Sequence, residues 1–211
     1  IIGGTIQGCE FALQNGVGMN IAGGTHHAFK DHGEAFCLLN DQAIAAHYLL
    51  DTQKASKILI IDLDVHQGNG TAMLFKDNPH VFTFSMHGAK NYPFKKQRSD
   101  LDIGLENDTQ DALYLEILKN TLPKLVTKVK PDFIFYLSGV DILASDKLGK
   151  LGCSLEGCMQ RDRFVFESCK QANIPVQVSM GGGYSKDIDV ILEAHKNTFK
   201  VAQEVFFNKI F

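Results

Sequence analysis

The sequence lacks any hydrophobic run of the roughly 20 residues that a membrane-spanning helix needs. Its first residues also lack the basic segment and apolar core of a signal peptide. Positive charge is not in excess, because 21 Lys and Arg residues are set against 24 Asp and Glu residues, for a net charge of -3. Nucleic-acid binding relies on clustered Lys and Arg side chains that neutralise phosphates. We therefore expect no membrane contact and no direct contact with nucleic acid.

Cysteine is sparse, odd in number and without CxxC spacing. This pattern does not fit a disulfide framework and favours reduced thiols. We therefore expect a cytoplasmic protein, or a nuclear one if the host is a eukaryote. The five cysteines, which we expect to be small core or surface residues, are Cys9, Cys37, Cys153, Cys158 and Cys169.

Internal repeats, low-complexity tracts and linkers are absent too, so we predict a single domain over residues 1–211. With 45% hydrophobic residues, a chain of this length can bury roughly 70% of the surface that its unfolded form exposes. The sequence begins at Ile1 without an initiator Met, and we expect the domain to be N-terminally incomplete.

Five short apolar runs are present, and each one leads into polar residues fit for chemistry. Such runs, separated by helix-like stretches, are typical of parallel strands covered on both faces. Their order predicts an α/β fold with a mainly parallel central sheet flanked by helices. With the residues that follow them, the runs are Met19–His27, Ile58–His66, Val81–His87, Phe133–Asp141 and Val176–Tyr184.

Helical periodicity fills most of the intervals between these runs. Asp108 is predicted to cap a helix that continues to Val129, just before Pro131. A short helix is expected after the second run, and the polar segment 88–106 is predicted to be a loop that shapes a binding site. Further helices are predicted over Asn40–Leu50, Leu155–Gln171 and Asp187–Phe207, with Phe164, Val165, Phe166, Ile188, Ile191, Leu192, Phe199, Val201 and Val205 buried.

The polar residues at the strand ends are predicted to converge on one pocket, because parallel sheets bind ligands beyond the carboxyl ends of their strands. Asp64 and His66 are two residues apart and therefore point to the same side of the chain, while Asp141 follows a different strand. Two carboxylates and one imidazole suit Zn²⁺, and Fe²⁺ or Co²⁺ fit as well. Three protein ligands leave a coordination position open, which is typical of a catalytic metal.

His26, His27 and Tyr184 are candidates for the proton transfer and carbonyl polarisation that such a metal site requires. A histidine near its ordinary pKa can accept a proton from water and deliver it to a leaving nitrogen. A tyrosine after Gly181, Gly182 and Gly183, where the backbone can approach a ligand closely, can donate to a developing oxyanion. The alternatives are a pair of solvated loop histidines and an ordinary core tyrosine.

Four motifs resemble the histone deacetylase family, and the resemblance extends over nearly the whole chain. The arrangement is closest to class IV members and their bacterial relatives, given Gln67-Gly68-Asn69-Gly70 and the stretch from Asp141-Ile142-Leu143 to Asp146-Lys147-Leu148-Gly149. The resemblance implies the three-layer arginase-deacetylase fold with one catalytic zinc ion. The motifs are Gly23-Gly24-Thr25-His26-His27-Ala28, Asp62-Leu63-Asp64-Val65-His66, Ser138-Gly139-Val140-Asp141 and Gly181-Gly182-Gly183-Tyr184.

The same resemblance implies a role for each site residue. Asp64, His66 and Asp141 correspond to the zinc ligands, and His27 corresponds to the general base and acid. His26 is its electrostatic partner, Tyr184 polarises the amide carbonyl, and Asp62 pairs with His26. Asp62 with Ser85 further implies a structural monovalent cation such as K⁺. The residues expected along the substrate channel are Phe36, Tyr92, Gly182 and Gly183, although Phe36 and Tyr92 could equally be core aromatics.

Two positions depart from the family pattern. Asn69 stands where many members have an Asp beside the base, so we expect His27 to be neutral and to lack anionic support. Ala35 replaces a common glycine, and we expect it to reshape the channel wall.

The sequence predicts a zinc-dependent amidohydrolase that acts on acyl-lysine in a protein or peptide, or on an acylated small amine as acetylpolyamine amidohydrolases do. An arginase-like enzyme with two metals is disfavoured because Gln67 and Gly68 offer no second-metal carboxylate. A non-catalytic acyl-lysine binding module is the third alternative, and the intact His27, Tyr184 and three ligands speak against it.

Overall fold

A computed structural model describes residues 1–208 as a six-stranded, wholly parallel sheet with helices on both faces. The order across the sheet is β1-β6-β5-β2-β3-β4. The predicted α/β class and three-layer arrangement are confirmed. The strands are β1 (Val17–Asn20), β2 (Ile58–Asp62), β3 (Val81–Gly88), β4 (Leu101–Leu105), β5 (Phe133–Leu137) and β6 (Val176–Ser179).

Six helices in the described part of the chain connect and cover these strands. They are α1 (Ile2–Asn15), α2 (Asp41–Asp51), α3 (Asn69–Phe75), α4 (Asp111–Val129), α5 (Leu155–Ala172) and α6 (Ile188–Phe207). Asn40, Ser154 and Asp187 cap α2, α5 and α6 by accepting hydrogen bonds from backbone amides of the first turn. None of the described helices has the length and apolar content needed to cross a membrane.

Alternation along each strand divides the hydrophobic core into two layers. Leu59 and Ile61 pack with the apolar faces of α4, α5 and α6, whereas Ile58 and Ile60 pack on the other face with residues of α1, α2 and α3. Because both faces are covered, the strand is apolar throughout. The first polar side chain of β2, Asp62, is the last residue of the strand, where the sheet meets the site.

Two elements were not predicted from the sequence. α1 contains three glycines, which disfavour a helix, but its small residues allow close packing: a Cβ atom at Gly18 would lie 1.9 Å from the carbonyl oxygen of Gly8. β4 lies inside the predicted loop 88–106 and forms an edge of the sheet beside β3, with only Leu101, Ile103 and Leu105 turned inward. Tertiary packing therefore overrides weak local signals in both places.

Three details of the helix predictions are wrong. Asp108 does not cap α4, because it has a left-handed φ of 58° in the preceding loop and the helix begins at Asp111 after Gln110. Ile188 and Leu192 are not buried: 62% and 58% of their surfaces are exposed on the outer side of α6. Phe164, Ile191 and Phe199, also predicted to be buried, are only partly buried. The five cysteines are all buried and unpaired within the described residues, in agreement with reduced thiols.

Candidate metal centre and active site

One cavity of about 520 Å³ lies at the carboxyl end of the sheet. Its lining combines residues that follow β1, β2, β5 and β6 with residues of the loop between β3 and β4. The sequence-predicted residues that line it are His26, His27, Phe36, Asp64, His66, Tyr92, Asp141, Gly182 and Tyr184. The structure therefore brings most of the predicted site residues to a single cavity.

Asp64, His66 and Asp141 form a compact cluster at this cavity. One ligand atom from each residue lies within 4.8 Å of the others. Nδ1 of His66 is 3.0 Å from Oδ1 of Asp64 and 3.1 Å from Oδ2 of Asp141. Both carboxylates are buried. Three side chains from two neighbouring strand ends can thus bind the same ion.

The electrostatics of the cluster fit a divalent cation. Burial, followed by the nearby Asp64 carboxylate, raises the pKa of Asp141 to about 7. Although burial opposes it, the Asp141 and Asp64 carboxylates raise the pKa of His66 to about 10. Protons thus balance two buried carboxylates in the protein alone, and a divalent cation with the same donors would supply that positive charge instead.

Two glycines allow the backbone to lie against the ligand carboxylates. A Cβ atom at Gly139 would lie 2.3 Å from Oδ2 of Asp64, and one at Gly182 would lie 2.7 Å from Oδ2 of Asp141. The amide of Gly182 also donates to Oδ2 of Asp64 at 3.1 Å. At Gly183 the neighbour would be Val140 instead, with 2.6 Å to Cγ2. The glycine run therefore shapes the ligand set as well as the cavity wall.

His26 is paired with Asp62 below the cavity. Its Nδ1 lies 2.7 Å from Oδ2 of Asp62, and both side chains are buried. Burial lowers the pKa of His26, but the Asp62 carboxylate outweighs this effect and raises the pKa to about 9. The proposed ion pair of His26 with Asp62 therefore has the geometry that the sequence suggests.

His27 has a neutral partner in Asn69. The distance from Nδ1 of His27 to Oδ1 of Asn69 is 2.7 Å. Burial and the charge of His26, whose ring centroid is 4.1 Å away, lower the pKa of His27 to about 3. Contrary to the expectation, His27 has anionic support, which is indirect: Nδ2 of Asn69 donates to Oε1 of Glu34 at 2.6 Å.

Aromatic side chains form the mouth of the cavity. The rings of Phe36 and Tyr184 are 5.7 Å apart, and 79% of Phe36 is exposed, so it is not a core residue. Tyr92 is partly buried and stands edge-on to the His27 ring at 5.1 Å, while its hydroxyl donates to Glu34. Tyr92 lies in segment 88–106, which confirms that this segment shapes the cavity.

Ala35 has a left-handed φ of 51°, a conformation that glycine adopts without strain. It is the first turn residue between Glu34 and Cys37, whose backbones exchange two hydrogen bonds of 3.0 and 2.9 Å. The substitution therefore keeps the tight turn, which leads into Phe36 at the rim.

Asp41, which the sequence analysis did not identify, fixes the loop that carries the two histidines. It is fully buried, and its Oδ1 accepts hydrogen bonds from the amides of Gly24 and Thr25 and from the hydroxyl of Thr25. Its Oδ2 accepts from Thr5 and Ser179. The available signal in the sequence was an aspartate at the start of a predicted helix, directly after the capping Asn40.

Arg161 was missed as well, although it is fully buried beneath the ligand loops. Its guanidinium donates to the carbonyls of Leu63, Ser138 and Gly139, which precede Asp64 and Asp141 in the chain. Nη2 of Arg161 lies 2.8 Å from Oδ1 of its partner Asp162, which is also fully buried. This arginine holds the two metal-ligand loops together from below.

The Ser85 hydroxyl lies 2.9 Å from Nδ1 of His87, and Ser85 is the neighbour of Asp62 in the β2–β3 register. The monovalent cation expected at Asp62 and Ser85 rests on the family resemblance alone and stays a prediction.

Comparison with known proteins agrees with this geometry. A family model described as the histone deacetylase domain matches residues 1–200. An uncharacterized protein from Picosynechococcus sp. is 48% identical over 205 residues, which cover 97% of this chain and 68% of that protein.

Two relatives with descriptive names are more distant. Histone deacetylase 2 of Arabidopsis thaliana is 34% identical over 188 residues, covering 88% of this chain and 49% of that protein. The acetoin utilization protein AcuC of Staphylococcus aureus is 34% identical over 200 residues, covering 88% and 51%. The chain thus spans about half the length of these two relatives. From its family match and its cluster of predicted motifs at one cavity, we conclude that the chain belongs to the histone deacetylase family.

Proposed function

We propose that this chain carries the centre of a zinc-dependent deacylase that hydrolyses the amide of an acylated lysine. The observation that carries the proposal is the convergence of ligand atoms from Asp64, His66 and Asp141 within 4.8 Å, in a cavity that His27 and Tyr184 also line. Neither the metal nor the substrate follows from family membership alone, so both rest on the chemistry of these residues.

The donor set favours zinc among the common divalent ions. Imidazole together with two carboxylates is a borderline set that suits Zn²⁺, with room left for substrate. When bound, such an ion supplies Lewis-acid chemistry next to the histidines. Asp64, His66 and Asp141 would hold it, and the buried Arg161 keeps their two loops at a fixed separation.

His27 is the proposed proton carrier. The oxygen of Asn69 can only accept a hydrogen bond, so Nδ1 of His27 carries the proton and Nε2 keeps its lone pair. Nε2 then takes a proton from the attacking water and returns it to the leaving amine nitrogen. Positive His26, held by Asp62, lies beside the ring and favours negative charge developing on the substrate.

Tyr184 is the proposed donor to the carbonyl oxygen. Its backbone amide is fixed by Asp146, with 2.5 Å between the nitrogen and Oδ2, and its ring lines the same cavity as the ligands. A hydroxyl at this side of the cavity stabilises the oxyanion that forms as water adds to the amide. The apolar faces of Phe36 and Tyr92 suit the methylene stem of lysine.

An acylated polyamine is the second candidate substrate, because its amine end also carries a methylene chain that the aromatic mouth would accept. A reducing compartment, cytoplasmic or nuclear, is proposed on the strength of the five buried thiols. The substrate is decided by comparing turnover of acetyl-lysine peptides and acetylated polyamines at equal concentrations.

The proposed function is tested by metal analysis and a fluorogenic acyl-lysine peptide. We expect one zinc ion per chain and turnover that Tyr184→Phe lowers about 100-fold, since removing one oxyanion donor has an effect of this size. Tyr48→Phe is the matched control, because Tyr48 bonds to Glu10 on the α1–α2 side of the molecule. Zinc binding without hydrolysis of any acyl-amine would favour a binding module and contradict the proposal.

A further inference from the structure

A chain of hydrogen bonds extends from His27 through Asn69 to the carboxylate of Glu34. Nδ1 of His27 is 2.7 Å from Oδ1 of Asn69, and Nδ2 of Asn69 donates to Oε1 of Glu34 at 2.6 Å. The hydroxyl of Tyr92 donates to the same glutamate oxygen. Glu34 therefore contacts the proposed base only through an amide.

Glu34 is held in place by its own backbone. It begins the tight turn that ends at Cys37, with hydrogen bonds between the two backbones in both directions. Its side chain is 29% exposed, and Nε2 of His32 lies 3.9 Å from the second carboxylate oxygen. The first oxygen is thus directed inward, and the second faces the surface.

The chemistry of the three groups fixes the direction of the chain. An ionised carboxylate only accepts hydrogen bonds, so Asn69 presents its NH₂ group to Glu34. Its oxygen must then face His27, and that oxygen accepts only from a protonated Nδ1. Without the carboxylate, the amide could rotate by 180° with almost no change in shape, and it would then favour the tautomer with the proton on Nε2. That tautomer has no lone pair facing the cavity and cannot act as a base.

We propose that Glu34 is a positioning residue that orients the Asn69 amide and thereby selects the Nδ1-protonated tautomer of His27. The inference rests on the proposed function of His27, since it explains how an asparagine serves where many family members have an aspartate. Glu34 thus supplies a carboxylate that acts on His27 through the Asn69 amide, in place of an aspartate in direct contact with His27.

The first test is the tautomer itself, measured by nitrogen NMR of histidine-labelled, metal-free protein, with the His27 signals assigned by their loss in His27→Gln. We expect the unsubstituted chain to carry the proton on Nδ1. In Glu34→Leu and Glu34→Ala, which leave no acceptor for Asn69, the Nε2-protonated form should appear at a comparable population, whereas Asp31→Asn, a change of an exposed neighbouring carboxylate, should leave His27 unaltered. A single Nδ1 tautomer in both Glu34 variants would overturn the proposal.

The second test asks whether the effect of replacing Glu34 on kcat changes sign between two backgrounds of the zinc-loaded protein, with Asn69 and with Asn69→Asp. Glu34→Leu alone should lower kcat about 10- to 100-fold with little change in KM, the scale found for hydrogen-bond partners that orient a metal-ligating histidine. In the Asn69→Asp background two carboxylates would lie within hydrogen-bond distance and repel each other. There Glu34→Leu should raise kcat. A decrease of kcat in both backgrounds would indicate a merely structural residue.

The two tests separate this inference from the proposed function. If the chain hydrolyses no acyl-lysine substrate, the proposed function fails, and the tautomer measurement still decides the role of Glu34. If hydrolysis depends on zinc and Tyr184 but the His27 tautomer ignores Glu34, only the inference about Glu34 fails.

Discussion

At the scale of single residues, two adjacent buried histidines have pKa values shifted in opposite directions. His26 bonds to the Asp62 carboxylate and has a pKa raised to about 9, while His27 bonds to Asn69 and has a pKa lowered to about 3. Burial lowers the pKa of both rings, but the Asp62 carboxylate outweighs it at His26, whereas the charge of His26 lowers the pKa of His27 further. This pairing places a cationic imidazole beside a neutral one, which we propose to be the base.

Replacing Asp62 should remove that asymmetry. In Asp62→Asn we expect the pKa of His26 to fall below its ordinary value of about 6.5, because burial then acts without an opposing carboxylate. Proton NMR titration of the metal-free protein measures this change. An unchanged pKa near 9 would show that Asp62 is not its cause.

His195 gives a pH dependence that can be measured away from the ligands. Its Nδ1 is buried without a hydrogen-bond partner in the described part of the chain. Burial and the charge of Arg161 lower its pKa to about 4, against about 6.5 in the unfolded chain. Between these values the unfolded chain binds a proton that the folded chain excludes, so stability present above pH 6.5 is lost as the pH falls towards 4.

Urea unfolding at several pH values should reveal this effect as a difference from His195→Gln. Between pH 8 and pH 5 the free energy of unfolding of the unsubstituted protein should fall by about 2 kcal/mol more than that of the variant. Because both proteins share every other titrating group, the difference isolates His195. Parallel pH profiles of the two would contradict the assigned pKa.

At the scale of elements, the candidate metal site depends on a helix that contributes no ligand. Arg161 on α5 connects the loops after β2 and β5 through their carbonyls, and its partner Asp162 accepts from Tyr136 and Thr198. The network is fully buried, so each polar group relies on the others. Loop spacing at the site is therefore set from the core.

Arg161→Met should lower the free energy of unfolding by about 3–5 kcal/mol, since it leaves the buried Asp162 carboxylate without its counterion. Arg163→Met is the matched control on the same helix: Arg163 pairs with Glu204 at the surface, where such pairs contribute at most about 1 kcal/mol. Urea unfolding compares the two variants. Equal effects would mean that the Arg161 network contributes no more than a surface ion pair.

The sequence predicts some elements and misses others for identifiable reasons. β2 and β5 are apolar throughout because both of their faces are buried, and this pattern is easily recognised. β4 is a half-covered edge strand with an alternating pattern only five residues long, and α1 depends on close contacts of small residues that propensity does not reveal. Predictions are therefore strongest at the centre of the sheet.

At the site, the same distinction applies to side chains. Asp64, His66 and Asp141 follow strong strand signals, so the sequence alone indicates that they meet. Glu34 is one of two acidic residues in a polar loop, and Arg161 lies in a charged stretch that resembles a solvated helix face. Glu34 acts through a contact with a residue 35 positions away, and Arg161 through contacts with residues 22 to 98 positions away. No local pattern encodes contacts over such separations.

At the scale of the whole molecule, the two core layers hold the strand ends together, and the ligands occupy the edge at which β2 and β5 terminate. An ion bound there would connect loops from two neighbouring strands and would favour the folded state over the unfolded chain. The central claim is therefore that Asp64, His66 and Asp141 jointly bind one divalent ion.

Equilibrium dialysis against Zn²⁺ tests this claim most directly, with bound zinc counted per chain. We predict one tightly bound ion for the unsubstituted chain and for His80→Gln, which removes a histidine at the opposite end of the sheet, and none for Asp141→Ala. Equal zinc content in Asp141→Ala and the unsubstituted chain would contradict the account.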